Sequence, residues 1–84
     1  MSHKFNQRGI KMQVIKVFSN QEGKQSLIGL AQDGSFCVQF FNPGYLVGEI
    51  NYPNKSFPYV EDAAENWTLG ITTEETIKKY KTTV

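Results

Sequence analysis

After a polar start, the first half of the chain alternates short apolar segments with turn-forming residues. The apolar segments are rich in β-branched and aromatic side chains, which is typical of β-strands. They predict four strands, over residues 12–19, 25–32, 35–41 and 45–52. Because the connections are short, each strand is expected to pair with the next one. The pattern therefore predicts an antiparallel meander in the order 1-2-3-4.

Three turns set the predicted register of this sheet. The first is predicted to be a three-residue loop with Gly23 in the left-handed conformation. The second, Asp33-Gly34, is typical of a two-residue type I′ turn. The third is predicted to be a three-residue loop over residues 42–44. Together these loops place Gly29 and Gly48 in one row across the sheet.

The register divides the strand side chains between two faces, because side chains alternate along a strand. The first face carries no charge, and we expect it to form the core. Its predicted members are Gln13, Ile15, Val17, Leu27, Gly29, Ala31, Phe36, Val38, Phe40, Leu46, Gly48, Ile50 and Tyr52. A change of one residue in the length of the first or the third loop would bring Lys16 or Glu49 to this face. We prefer the register described because it keeps both charges off the core face.

The last third of the chain predicts two helices after a loop over residues 53–58. An apolar stripe at helical spacing marks the first helix, and its members are Val60, Ala63, Ala64 and Trp67. We expect Trp67 to lie over Gly29 and Gly48, where the absence of side chains leaves room. The first helical turn is predicted to contain Glu61 and Asp62, which the helix dipole favours there.

The ends of these helices also carry sequence signals. Gly70 is a plausible C-terminal cap of the first helix. Thr72 and Glu75 match a capping box, so a short second helix is expected from Thr72 to about Tyr80. The fold class is therefore α+β, a four-stranded meander with one helix packed on a sheet face and a second short helix. We predict a flexible N-terminal lead-in at 1–11 and a single small domain at 12–84.

The second face of the predicted sheet is the candidate contact surface. Nine of its thirteen members are apolar or aromatic, and exposed apolar patches of this kind usually mark an interaction site. The residues predicted to bind a partner are Met12, Val14, Phe18, Ile28, Leu30, Phe41, Tyr45 and Val47. Two alternatives remain open at this point. Either the second helix folds back over this face, or another molecule covers it.

The sequence contains no convincing catalytic, metal-binding or cofactor-binding motif. His3 is the only histidine and has no nearby carboxylate or cysteine, so neither a catalytic role nor a zinc site is expected. Cys37 lies within a strand with no adjacent base or cation, which predicts a buried and inert thiol. No phosphate-binding glycine loop is present. We therefore predict a non-enzymatic protein without a metal or cofactor.

Charge and cysteine content limit the partners and the compartment. Residues 1–40 carry five Lys or Arg and two acids, whereas residues 41–75 carry one Lys and six acids. This is not the strong basic stripe of a duplex-DNA binder. One cysteine excludes an internal disulfide and favours the cytoplasm. No apolar run reaches membrane-spanning length, and no membrane association is expected.

The first hypothesis for function is therefore a small protein–protein interaction module, an adaptor, regulator or inhibitor, which binds a protein partner or forms a homodimer. A virus-encoded inhibitor of a host protein would have the same features. The alternative is a single-stranded nucleic-acid binder. It would stack bases on Phe18, Phe41 and Tyr45 and use the basic N-terminus.

Overall fold

The computed structural model describes residues 12–80 and confirms the α+β fold. One antiparallel sheet has the strand order β1-β2-β3-β4 and is followed by two helices. The elements are β1 (Gln13–Ser19), β2 (Gln25–Leu30), β3 (Phe36–Asn42), β4 (Tyr45–Tyr52), α1 (Phe57–Thr68) and α2 (Glu74–Lys79). The predicted lead-in at 1–11 lies outside the described residues.

The first turn forms as predicted. Asn20 and Lys24 flank a three-residue loop, and Gly23 takes a φ of +92°. The Asn20 side chain stabilises the loop, since its carbonyl oxygen accepts hydrogen bonds from the backbone N–H groups of Glu22 and Lys24. Further along β1, however, a bulge at Ile15 shifts the pairing by one residue. Val14, rather than Ile15, therefore lies opposite Gly29.

The second turn differs from the prediction. Three residues, 32–34, separate the paired residues Ala31 and Ser35, where the type I′ turn would have only two. A type I′ turn requires positive φ at both central residues, but here Gly34 alone of the pair has it, at +91°. Asp33 keeps a negative φ, and its carboxylate accepts hydrogen bonds from the backbone N–H and the hydroxyl of Ser35. The register of β2 against β3 consequently moves by one residue, and Ile28 pairs with Val38.

The third turn also differs. Its loop has two residues, Pro43 and Gly44, and it pairs Asn42 with Tyr45. The φ of Gly44 is +88°, as a glycine at the second central position of a type II turn requires. A register shift near Val47 then places Gly48 opposite Phe40. The two irregularities compensate each other, so that β4 keeps its predicted faces from Gly48 to Tyr52.

These changes assign β2, and β1 from Lys16 onwards, to the opposite faces from those predicted, whereas Gln13 and Val14, before the bulge, keep their predicted faces. The prediction is correct for β3 and for the second half of β4, where Phe36, Val38, Phe40, Ile50 and Tyr52 lie on the core side. It is wrong for β2 and for β1 from Lys16 onwards. There the core side carries Lys16, Phe18, Ser26, Ile28 and Leu30, whereas Val17, Leu27 and Gly29 face away.

The second turn, which reverses β2, also reverses the part of β1 that pairs with it, and the charge of Lys16 does not prevent this. Lys16 was excluded from the core side because burial of an unpaired ammonium is costly. In the structure Lys16 lies on that side, but its ammonium reaches the edge of the sheet and pairs with Glu61 of α1. A long lysine stem can lie against apolar groups while its charge stays accessible to solvent. The charge therefore does not prevent the core side from including β1.

Helix α1 covers the core side with the predicted stripe. Val60, Ala64 and Trp67 are completely buried. The Trp67 ring meets Phe40 edge-on at a centroid distance of 5.6 Å, and its Nε1 donates a hydrogen bond to the Phe41 carbonyl oxygen. The Ser26 hydroxyl donates to the Ala64 carbonyl oxygen at 2.7 Å. Trp67 is thus central to the core, as expected.

The predicted site of Trp67 over two glycines is wrong. Gly29 lies on the opposite face of the sheet, where a Cβ atom would collide with Met12. Gly48 does lie on the core side, but the side chain over it is Ile77 of α2, whose Cγ2 would be 2.9 Å from a Cβ. Both glycines therefore allow a close approach, each by a different residue.

The helix ends differ slightly from the prediction. Because α1 begins at Phe57, with Pro58 in its first turn, Glu61 and Asp62 fall after that turn. Gly70 follows the helix with a φ of +83°, which agrees with its predicted capping role. The cap of α2 is Thr73 rather than Thr72, and its hydroxyl accepts a hydrogen bond from the Thr76 N–H.

Candidate interaction face

Both helices lie on the same side of the sheet. Lys16 and Ser26 contact α1, and Gly48 contacts α2. Since α2 does not fold back over the second face, no described helix covers it. We call this second surface the open face. Its strand residues are Val14, Val17, Ser19, Gln25, Leu27, Gly29, Cys37, Gln39, Phe41, Leu46, Glu49 and Asn51.

The apolar part of the open face is half exposed. Val14, Val17 and Leu46 are 52%, 51% and 48% exposed to solvent. Leu27 and Phe41 lie between them and are partly buried. These five side chains extend from β1 and β2 towards the turn between β3 and β4. This apolar patch has two halves, one on β1 and β2 and one on β3 and β4, which meet diagonally at Leu27 and Phe41, and the polar Ser19 and Gln25 lie in the same row as Phe41.

A polar pair borders this patch. Gln39 and Glu49 lie opposite each other on β3 and β4, and the Gln39 amide donates a hydrogen bond to the Glu49 carboxylate at 3.2 Å. They continue the row that Val17 and Leu27 begin on β1 and β2. One row therefore changes from apolar to polar across the sheet. Only the apolar part of this surface can be dehydrated without a free-energy cost. The border therefore limits the orientations in which a partner can bind.

Met12 closes the other end of the open face. Its side chain lies over Gly29 and contacts the Cys37 thiol. Cys37 is only 3% exposed, and this burial, followed by the charge of Glu49, raises the pKa of its thiol. A raised pKa leaves little thiolate at neutral pH, so the group is poorly suited to nucleophilic chemistry.

The structure does not bring all the predicted partner-binding residues together. Met12, Val14 and Phe41 lie on the open face. Ile28 is fully buried beneath α1, and Phe18 and Leu30 share its side of the sheet. Their grouping with the contact surface is wrong, because the register of β2 differs by one residue from the prediction.

The two remaining predicted residues also lie away from the open face. The Tyr45 hydroxyl donates a hydrogen bond to the carboxylate of Glu74 in α2. Val47 packs against the core cluster. The aromatic residues Phe18, Phe41 and Tyr45, on which the nucleic-acid hypothesis depends, consequently do not share a surface.

Sequence reasoning missed Val17, Leu27 and Leu46 as surface residues. The predicted register places them on the core face, because it gives the second turn one residue too few and the third turn one too many. The useful signal was the pair of opposite charges Lys16 and Glu61, which an antiparallel sheet under a helix can join at its edge. A register with Lys16 on the core side places the adjacent Val17 on the open face.

Within residues 12–80 the structure contains neither a metal-ligand cluster nor a membrane-spanning helix. Between Met12 and Tyr80, no group of three or more His, Cys, Asp or Glu is arranged to hold a metal ion. In the same range, no helix has the length and apolar character needed to cross a bilayer.

Comparison with known proteins gave no match: no family, no curated protein and no solved structure is significantly similar to this chain.

Proposed function

We propose that this protein is a non-enzymatic interaction module that binds another protein, or a second copy of itself, through the apolar part of the open face. A cytoplasmic adaptor, regulator or inhibitor fits this role. The observation that carries the proposal is the patch of Val14, Val17 and Leu46, each about half exposed, on the face opposite both helices. Dehydration of such a patch is favourable by roughly 25 cal/mol per Å² of apolar surface.

The size of the open face limits the strength of binding. Four strands spaced by about 4.8 Å and about 20 Å long cover roughly 300–400 Å². Two such faces would bury less than the ~1,200 Å² total of a typical stable interface. We therefore expect a weak homodimer that forms at high protein concentration. A larger partner that also contacts the edge of β1 would bind more tightly.

The nucleic-acid alternative has less support. A base-stacking surface needs several exposed aromatic rings on one face, and the open face has only Phe41. Its one acidic side chain, Glu49, would also repel phosphate. The alternative stays a prediction, and strongly salt-dependent oligonucleotide binding that Phe41→Ala abolishes would favour it over the protein-binding role.

Solution mass and partner capture together test the proposal. Val17→Lys places a charge on the half-exposed apolar surface of β1 and β2, and Ile71→Lys is the matched control, because Ile71 is 67% exposed and lies between the two helices. Sedimentation analysis from low to high protein concentration measures self-association. Cross-linking in native lysate, compared for the wild type and both variants, detects other partners.

We expect Val17→Lys to weaken dimerisation or to lose specific cross-links, and Ile71→Lys to keep them. The proposal is wrong if the wild type stays monomeric at high concentration and its cross-links are the same in all three proteins. Circular dichroism of each variant confirms that the fold is retained.

A further inference from the structure

A second concave surface lies on the other side of the molecule, where α1 and α2 meet above β4. It encloses about 240 Å³. Its floor is formed by Phe40, Ile50 and Tyr52 of the sheet. It is separated from the open face by the full thickness of the sheet, and the proposed interaction does not use it.

Helical spacing brings the chemically important side chains together. Tyr59, Asp62 and Asn66 recur at i, i+3 and i+7 along α1, so they share one helix face beside the buried stripe. Tyr80 lines the cavity from the end of α2. Three tyrosine rings, those of Tyr52, Tyr59 and Tyr80, therefore surround the same space as the carboxylate of Asp62.

The tyrosine rings are arranged at an angle rather than stacked. The rings of Tyr52 and Tyr59 have centroids 6.0 Å apart and planes inclined by 64°. Burial, and then the neighbouring hydroxyls of Tyr59 and Tyr80, raise the pKa of Tyr52 to about 12. The phenol therefore stays neutral throughout the physiological range. The Tyr52 ring is only 5% exposed and forms part of the floor, whereas Tyr59 and Tyr80 are 49% and 45% exposed and remain accessible to a ligand.

One of these rings already attracts a cation within the chain. The Lys55 ammonium lies 4.9 Å from the ring centroid of Tyr59. An aromatic face attracts a cation within about 6 Å through its quadrupole. Asp62 adds a formal negative charge, and neither of the two ion pairs found between Met12 and Tyr80 involves it. The cavity thus combines aromatic side chains with a carboxylate that forms no ion pair within residues 12–80.

We propose that this cavity binds an alkylammonium group, with the exposed rings of Tyr59 and Tyr80 beside the methyl groups, the buried Tyr52 in the floor and Asp62 balancing the charge. Rings around a carboxylate favour a methylated ammonium over a bare one, because methyl groups make it less costly to dehydrate. The volume is below the ~300 Å³ at which pockets accept drug-sized ligands, and it suits a single trimethylammonium group. That group could come from a free choline-like molecule or from a trimethylated lysine side chain.

Titration monitored by NMR tests this assignment with three probes. Choline and a short peptide containing trimethyllysine carry the proposed group, and the neutral tert-butyl analogue of choline has the same shape without the charge. We expect saturable shifts of the Tyr59 and Tyr80 resonances with choline, the peptide or both, and which of them binds identifies the source. Binding of the neutral analogue should be weaker by about tenfold, the effect of one well-placed cation–π or charge contact.

Variants separate the roles of charge and rings. Asp62→Asn should weaken choline binding severalfold, whereas Glu65→Gln should not change it, because Glu65 lies on the same helix but outside the cavity. Tyr59→Leu and Tyr80→Leu change residues that are 49% and 45% exposed, so the fold should survive, and each should reduce binding. Lys55→Gln should strengthen it, because a competing positive charge is removed.

Three outcomes would overturn the proposal. One is the absence of saturable shifts with both cationic probes. The second is equal affinity for the neutral analogue, which would indicate a simple apolar cavity. The third is equal choline affinity in Asp62→Asn and the wild type. None of these results bears on Val17→Lys, so the cavity and the open face are tested independently.

Discussion

At the scale of single residues, two glycines of the sheet each allow a neighbouring side chain to pack closely against the backbone. Gly29 accommodates Met12 on the open face, and Gly48 accommodates Ile77 of α2 on the core side. The strand pattern predicted that both glycines leave room for another side chain, which is correct. The side chain that it predicted over both glycines, Trp67, is wrong, because the neighbours of each glycine depend on the register and on where α2 packs.

Gly48→Ala should destabilise the protein. The new Cβ would lie 2.9 Å from the Cγ2 of Ile77, a buried atom that cannot move freely. Overpacking of this kind costs about 1–3 kcal/mol, which urea unfolding of both proteins would measure. Ile77→Leu removes the branched methyl and should restore part of the loss in the double variant. An unchanged unfolding midpoint in Gly48→Ala would show that α2 does not pack closely on β4.

At the scale of elements, α2 depends on its contacts with β4 and with the β3–β4 turn. Six residues make a helix too short to be stable alone. The Glu74 carboxylate links it to the turn, since it accepts hydrogen bonds from Asn42 and Tyr45 and pairs with Lys78. The sequence predicted this helix from its cap and charges. It did not predict the link to the turn, which joins residues 29 positions apart.

The stability conferred by Glu74 should depend on pH. The hydrogen bonds from Lys78 and then Tyr45 hold the pKa of this carboxyl below its ordinary value of 4.5. A folded-state pKa below the unfolded value stabilises the fold above pH 4.5, and this contribution disappears as the pH falls through the folded value. Glu74→Gln should therefore lower the urea midpoint at neutral pH and have little effect in acid.

Glu75→Gln is the control for this experiment. It removes an acid from the same first turn, where the helix dipole acts equally, but none of the described hydrogen bonds of the turn. If both variants lose the same stability at neutral pH, the helix dipole explains the effect and the link to Tyr45 does not.

At the scale of the whole molecule, the two faces of the sheet have different environments. One lies under two helices and contains Ile28, Phe40 and Trp67, all with 1% exposure or less. The other is covered, among the described residues, only at one end by Met12. We therefore expect Cys37, which lies under Met12, to report on local opening of the open face.

Cys37 should react slowly with a maleimide in the native protein, because its thiol is buried and its pKa is raised by that burial. Met12→Ala should increase the rate severalfold, since it uncovers the thiol without altering the core. Leu46→Ala, a change elsewhere on the open face, should not. Equal rates in Met12→Ala and the wild type, at matched global stability, would contradict the proposed cover.

The sequence by itself determined the elements of this protein: four strands, their meander order, two helices and a core stripe ending at Trp67. These follow from local signals, namely apolar periodicity, glycine at turns and helix caps, which depend on neighbours in the chain. It also determined the faces of β3 and most of β4, although two local errors cancelled there.

Only the tertiary structure decided which face of β1 and β2 is covered, and hence which apolar residues are exposed. One extra loop residue beside Asp33 reverses every side chain of a strand, while its local energy differs little from that of the alternative turn. Packing makes the choice: the observed register buries Ile28 and Ser26 beneath α1 and joins Lys16 to Glu61. The contacts of Ser26 with Ala64 and of Lys16 with Glu61 span 38 and 45 positions of the chain, beyond the reach of any local pattern.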